Sequence, residues 1–295
     1  LDTRGSLRAD QYIRNREGSL LTVTGDGTRY ILKDWFMDRE CNIKDGFEIR
    51  QALSRLAMLH SQLKAVEFKE EWSMGSNLCA PLEEELERHN KEMQRTRNYC
   101  VIGNYNMFYE QAQEAVQGIK GLWSEEADPG FGYDALEAAE IRGITGKSRQ
   151  PCAGSPDDQS GKPIYLCHGD LDQHHVLMGN GYTAIIEYNR MHLGIQVSDL
   201  YRFMRKVMEK HGWNMDLGLS MLDSYERVLP MDRQERTCLY YLFLYPEKYW
   251  KQLNFYFNAN KAWIPERNID KLHGLEEQQQ LRNSFLRRLK ADCGA

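Results

Sequence analysis

The sequence has no surplus of positive charge. Its 38 Lys and Arg are outnumbered by 43 Asp and Glu, giving a net charge of −5 and a pI near 6.0. A protein without a basic footprint is not expected to have nucleic acid as its main partner. No apolar run approaches the roughly 18–20 residues that cross a bilayer, and no charged-then-apolar leader of the secretory type opens the chain. No membrane partner is therefore expected. The seven cysteines are odd in number and include no CxxC pair. That usage suits a reducing cytosol better than a secreted disulfide framework or a zinc site. HExxH is absent too, as is any repeat of solenoid length. What remains is 295 residues, 41% hydrophobic and 11% aromatic. Such a chain can bury one large domain, or a large domain carrying a smaller lobe.

Residues 19–24 and 28–36 read as two strands joined by a turn at Gly25-Asp26-Gly27. Residues 47–60 read as a helix with Phe47, Leu53, Leu56, Ala57 and Leu59 largely on one side. Residues 64–81 and 145–162 carry loop composition. Residues 82–98 alternate Glu with Arg and Lys and read as a solvated helix face. Further helices are expected over 106–123 and 133–141. Residues 164–167 form a short apolar strand, and 176–178 with 182–188 form a hairpin around Gly179-Asn180-Gly181. A helix opens near Asp199, where Leu200, Phe203, Met204, Val207, Met208 and His211 share a face and Gly212 suits the end. Arg202, Arg205, Lys206 and Lys210 should lie on its solvated side. Residues 217–289 read as mainly helical, and their aromatics, Tyr240 to Trp263, are expected in a core and not on a ligand platform.

If Asn180 and Gly181 are the two turn residues, Gly179 faces Tyr182, His175 faces Ile186 and His174 faces Glu187. Facing residues lie about 5 Å apart at Cα. The open end of the hairpin should then gather His174, His175 and Glu187 beside the loop bearing Asp170 and Asp172. Carboxylates and imidazoles crowded into one dry place need water or a cation. Taken one at a time, Asp172, His174 and His168 read more readily as turn or core hydrogen-bonding residues than as ligands; taken together, a metal or phosphate site and a plain polar cluster stay equally open. A transition-metal site built from Asp170, His174, His175 and Glu187 is one version.

The run His168-Gly169-Asp170, a hairpin, and then Ile185-Ile186-Glu187-Tyr188 resembles the catalytic and metal-binding segments of aminoglycoside and choline kinase-like phosphotransferases. Leu166 to Asp170, Gln196 to Lys210, Tyr245 to Lys251, Asn258 to Pro265 and Tyr30 to Phe36 together resemble the CotS-like spore-coat proteins of spore-forming bacteria. The likeness runs in order from about Asp26 to Leu289.

The resemblance implies an α+β, protein-kinase-like fold. Residues 1–38 would be a remnant of the N-terminal lobe with its hinge, and 39–295 a helical C-terminal lobe. In such phosphotransferases one aspartate orients the acceptor hydroxyl, and an asparagine and a second aspartate hold magnesium on the phosphates. Asp170 falls at the first position, His175 at the asparagine and Glu187 at the second aspartate. Imidazole suits magnesium poorly, and glutamate sets its charge one methylene farther out. Asp199 either braces the catalytic loop, as the fold implies, or caps its helix. No Gly-rich phosphate loop precedes Phe36, and Lys33 is expected to point outward from a hinge strand. The chain opens on Leu1 and not on Met, so upstream residues are expected; either they carry the rest of the lobe or the natural protein lacks it. The implied role is a cytoplasmic protein of the spore coat in a sporulating bacterium, with weak or no phosphotransfer and other coat proteins as partners. The alternative is an active phosphotransferase using Mg2+ and ATP on a small-molecule hydroxyl.

Overall fold

A computed structural model describes residues 7–66, 84, 86–88, 105–122, 165–258 and 266–293. The loop readings at 67–81 and 145–162, the helix at 133–141 and most of the charged 82–98 segment lie outside these. Residues 84 and 86–88 are helical, with Leu86 buried.

Five short strands come first: β1 (Leu7–Ala9), β2 (Tyr12–Ile13), β3 (Leu21–Val23), β4 (Arg29–Lys33) and β5 (Arg39–Glu40). The turn between β3 and β4 closes because Asp26 accepts the Thr28 N–H (3.1 Å) and both neighbouring threonine hydroxyls. That pairing sets Leu21 opposite Ile31 and Val23 opposite Arg29. β2 adds to the other edge of β4, with Tyr12 opposite Lys33. Alternation along these strands places Leu21, Val23 and Ile31 on one face and Tyr30 and Leu32 on the other. Both faces are open: Val23, Ile31 and Leu32 are 57%, 58% and 63% exposed.

The chain then becomes helical. Asp45 caps α1 (Gly46–Lys64), accepting from the Phe47 N–H at 2.8 Å, and Ile49, Leu53, Leu56 and Leu59 are fully buried. Phe47 departs from expectation at 66% exposure. Nine residues before Leu56, at about 100° per residue, it falls on the opposite side of the helix. After α2 (Tyr105–Gly121) come β6 (Tyr165–Cys167), β7 (Val176–Met178), β8 (Thr183–Ile185) and β9 (His192–Gly194). β7 and β8 form the predicted hairpin, with Met178 opposite Thr183 and Val176 opposite Ile185. β1 joins β8 in parallel and β5 joins β7, giving a four-stranded sheet ordered β1-β8-β7-β5. β6 pairs separately with β9.

The remaining helices are α3 (Val197–Lys210), α4 (Met215–Glu226), α5 (Arg233–Leu244), α6 (Glu247–Asn258) and α7 (Glu266–Asp292). A capping box between Asp232 and Glu235 starts α5. The described aromatics make core and not platform. Trp250 and Phe285 are fully buried, Phe243 is nearly so, and Phe243 meets Phe285 edge-on at 5.5 Å. α3 buries the apolar stripe read from the sequence, yet Arg205 is also buried, paired with Glu209 (2.8 Å) and Glu247 (3.0 Å). Its expected solvated position is lost because α6 brings Glu247 across that side. No helix among the described residues is long and apolar enough to cross a membrane.

Candidate functional site

The loop after β6 is hung from one buried carboxylate. Asp199, in the first turn of α3, is fully buried and accepts the backbone N–H groups of His168 (2.6 Å) and Gly169 (2.9 Å). His60 of α1, also fully buried, donates Nε2–H to it at 3.3 Å, while its Nδ1 lies 2.7 Å from the Tyr225 hydroxyl. Burial pushes the Asp199 pKa up, but His60 and the loop N–H groups outweigh it and hold the carboxyl below its usual range. Of the two roles left open for Asp199, the brace is the one built; α3 begins two residues before it, so it does not cap. The Gln196 amide ties the Leu166 carbonyl (3.0 Å) to that of His60 (3.2 Å). Gly169 adopts φ +83°, and a Cβ there would run into the Arg190 carbonyl.

This scaffold presents the candidate residues. His168 gives its Nε2–H to the Ile186 carbonyl (2.8 Å), and its Nδ1 accepts the Asp170 N–H (3.3 Å). Both bonds suit a neutral ring, and burial lowers its pKa accordingly. Asp170 is part-exposed, 3.5 Å from Arg190 Nε. Asp172 caps a single 3-10 turn, Gln173–His175, by accepting the His174 N–H (2.8 Å), and pairs with Lys206 of α3. Lys206 is thus a partner of the loop and not the free surface charge expected. His174 turns away to Glu40 at 2.6 Å. His175 donates Nδ1–H to the Asp170 carbonyl at 2.6 Å, and Asp172 Oδ1 lies 3.7 Å from the same nitrogen.

Glu187 follows the hairpin. The hairpin register is the one counted from the turn, with the Ile186 N–H bonded to the His175 carbonyl at 3.0 Å. Beyond Ile185 the strand ends, and Glu187 takes a left-handed conformation at φ 68° and ψ 56°. A glutamate held there stores roughly 1–3 kcal/mol of strain, and three bonds hold it. Its N–H donates to Asp10 (2.7 Å), one carboxylate oxygen takes Lys33, and the other accepts the Asn189 amide (2.6 Å). Lys33 also bonds Asp10 at 3.1 Å. The Lys33 bond holds the Glu187 carboxyl below its usual range.

Two expectations are thereby corrected. Lys33 does not point outward, because β2 brings the buried Asp10 beneath it. His174 and Glu187 also take partners beyond the His-Gly-Asp loop: the left-handed turn carries Glu187 to Lys33, and the 3-10 turn carries His174 to Glu40. Among the described residues no group of three or more His, Cys, Asp or Glu could hold a metal, which removes the four-residue transition-metal site. Asp10 is the residue that sequence reasoning missed. A lone aspartate between two short strands reads as turn, and its partner Glu187 lies 177 positions away.

Helices joined to a small sheet, with a braced His-Gly-Asp loop beside a hairpin, make a protein-kinase-like architecture. No protein-family model matches the sequence, and no curated protein sequence matches it. Solved structures do match. An aminoglycoside phosphotransferase from Alicyclobacillus acidocaldarius superposes with a TM-score of 0.71 at 15% identity, over 99% of this chain and 79% of that one. A choline/ethanolamine kinase family protein from Mesorhizobium loti gives 0.52 at 12% identity, over 94% and 77%. The amicoumacin kinase hAmiN, in complex with AMP-PNP, Ca2+ and Ami, gives 0.52 at 11% identity, over 94% and 72%. The fold is therefore the α+β, protein-kinase-like fold of aminoglycoside and choline kinases.

Proposed function

We propose that this chain is a spore-coat or sporulation-associated protein that keeps a kinase-like fold and carries out little or no phosphotransfer. The coat assignment rests on the CotS-like motifs, and the low activity on the state of Glu187. On this reading Asp170 stands at the catalytic aspartate, His175 and Glu187 stand at the metal positions, residues 1–38 are the lobe remnant and hinge, and 39–295 are the C-terminal lobe.

The single observation that carries the low-activity half is that both Glu187 carboxylate oxygens are already committed, one to Lys33 and one to Asn189. Magnesium requires hard oxygen ligands in near-octahedral array at about 2.0–2.1 Å. His175 offers that ion only Nε2, its other nitrogen being bound to the Asp170 carbonyl. These donors do not fit magnesium. What the site's own residues do is structural: Asp199 fixes the loop, and paired charges satisfy one another.

Calorimetry with ATP and Mg2+ tests the reading. The expected result is no binding in the micromolar range; a low-micromolar Kd, worth about −8 kcal/mol, or measurable ATP turnover would establish the active-kinase alternative instead. A fluorescent fusion in sporulating cells tests the location, and signal that stays diffuse in the mother cell would remove the coat assignment.

A further inference from the structure

We propose that the Lys33 ammonium is the resident cation of this site, clamping Asp10 to Glu187 and closing the position to divalent metal. The inference rests on the reading above that Glu187 occupies a metal position.

Three features bring Lys33 there. Pairing of β2 with β4 sets Lys33 opposite Tyr12, two residues from Asp10. The Asp34 N–H bonds the Gln11 carbonyl at 3.0 Å and closes the same corner. The left-handed turn at Glu187 then swings its carboxylate to the ammonium. Asp10 is the anchor: its side chain is 2% exposed, and one oxygen, Oδ2, takes both the Lys33 ammonium and the Glu187 N–H. A carboxylate this buried needs a cation or several donors. Lys33 supplies a full positive charge shared between two carboxylates, which a bridging metal ion would otherwise supply. A divalent ion entering beside it would meet like charge at close range, and the same oxygen lone pairs cannot serve both. The clamp also ties the exposed β2-β4-β3 sheet to the loop after β8, across 154 positions of sequence.

The test uses the whole chain and Mn2+ alone, read by calorimetry and by thermal melting. Wild type and Lys33→Arg, which keeps the cation, should show no melting shift with millimolar Mn2+. Lys33→Met should gain one Mn2+ site, at least roughly tenfold tighter than any in wild type, and Lys33→Met with Glu187→Gln should lose it again. Lys33→Met that gains nothing overturns the proposal. So does a wild type in which Mn2+ broadens the Glu187 amide signal in NMR, a measurement that decides the matter even if Lys33→Met does not fold. Failure of the functional reading would appear as ATP turnover, which this assay does not contain. Failure of the clamp would appear as identical Mn2+ behaviour with and without Lys33, whatever the turnover.

Discussion

Removing Asp199 should unfasten the loop that the rest of the site depends on. In Asp199→Ala the N–H groups of His168 and Gly169 lose their acceptor inside the protein, and His60 loses one of its two partners. An unsatisfied buried donor costs about 1–3 kcal/mol, and breaking a buried pair from one side costs about 3–5 kcal/mol in all. For chains of this size each kcal/mol moves the melting temperature by roughly 2–4 °C, so a drop on the order of 10 °C is expected. Asp199→Asn keeps one acceptor oxygen but turns an amide toward a donor, and should lose about half as much. Circular dichroism melts at neutral pH measure both. The pH dependence has a fixed sign. A carboxyl depressed in the folded state adds stability that is full above its unfolded pKa and is lost as pH falls through the folded value. Wild type should therefore shed this contribution only below about pH 4, and Asp199→Asn should lack that component. An Asp199→Ala protein melting within a degree or two of wild type would refute the brace.

Gly169→Ala should lower stability by several kcal/mol, or leave the protein unfolded, since φ +83° and the Arg190 carbonyl both oppose a side chain; urea titration measures it. Arg282→Met should cost about 1–3 kcal/mol, because this buried guanidinium, pushed down to about 10 by burial, serves the Phe243 and Leu244 carbonyls (2.9 and 2.7 Å) and Gln111 (2.7 Å). Melting curves unchanged in Arg282→Met would show those carbonyls satisfied otherwise. Ile31→Lys, on an open face of β4, should leave the melting temperature nearly unchanged and reduce binding of a hydrophobic dye; undiminished dye binding would place the apolar surface elsewhere.

The sequence carried most of what local pattern can carry. The Asn180-Gly181 turn fixed the hairpin register to the residue, because a slip by one would reverse both faces. The stripe from Leu200 to Met208 marked α3, and the aromatics after Tyr240 marked a core. Pattern stopped where long-range charge pairing began. Nothing local distinguishes Lys33, bonded to residues 23 and 154 positions away, from a solvated strand lysine. Nothing local shows that Lys206 reaches Asp172 or that Arg205 lies beneath α6. Glu187 was found by its place after the hairpin, yet its left-handed backbone was not legible, since the glycine that would have signalled it is absent. Asp199 was legible as a choice between two roles, and only the positions of His168 and Gly169 select one.

If His175 and Glu187 stand at metal positions, as proposed, a double substitution tests how far they are from holding a metal. Asp199, His60 and Gly169 build the loop, whereas His175 and Glu187 make bonds that suit protein partners. If these two were simple losses on an otherwise ready site, His175→Asn with Glu187→Asp would restore oxygen ligands, and Mg2+ would raise the melting temperature. The geometry argues otherwise. The shorter carboxylate draws back from Lys33 and Asn189, forfeiting a part-exposed ion pair worth at most about 1 kcal/mol and a hydrogen bond. Replacing His175 removes the donor to the Asp170 carbonyl, another ~1 kcal/mol. The double variant should therefore melt several degrees below wild type and gain nothing from Mg2+, because Lys33 remains. Adding Lys33→Met should bring a Mg2+ response at further cost in stability. A double variant that Mg2+ stabilises with Lys33 still present would mean that the carboxylate length, and not the ammonium beside it, had closed the site.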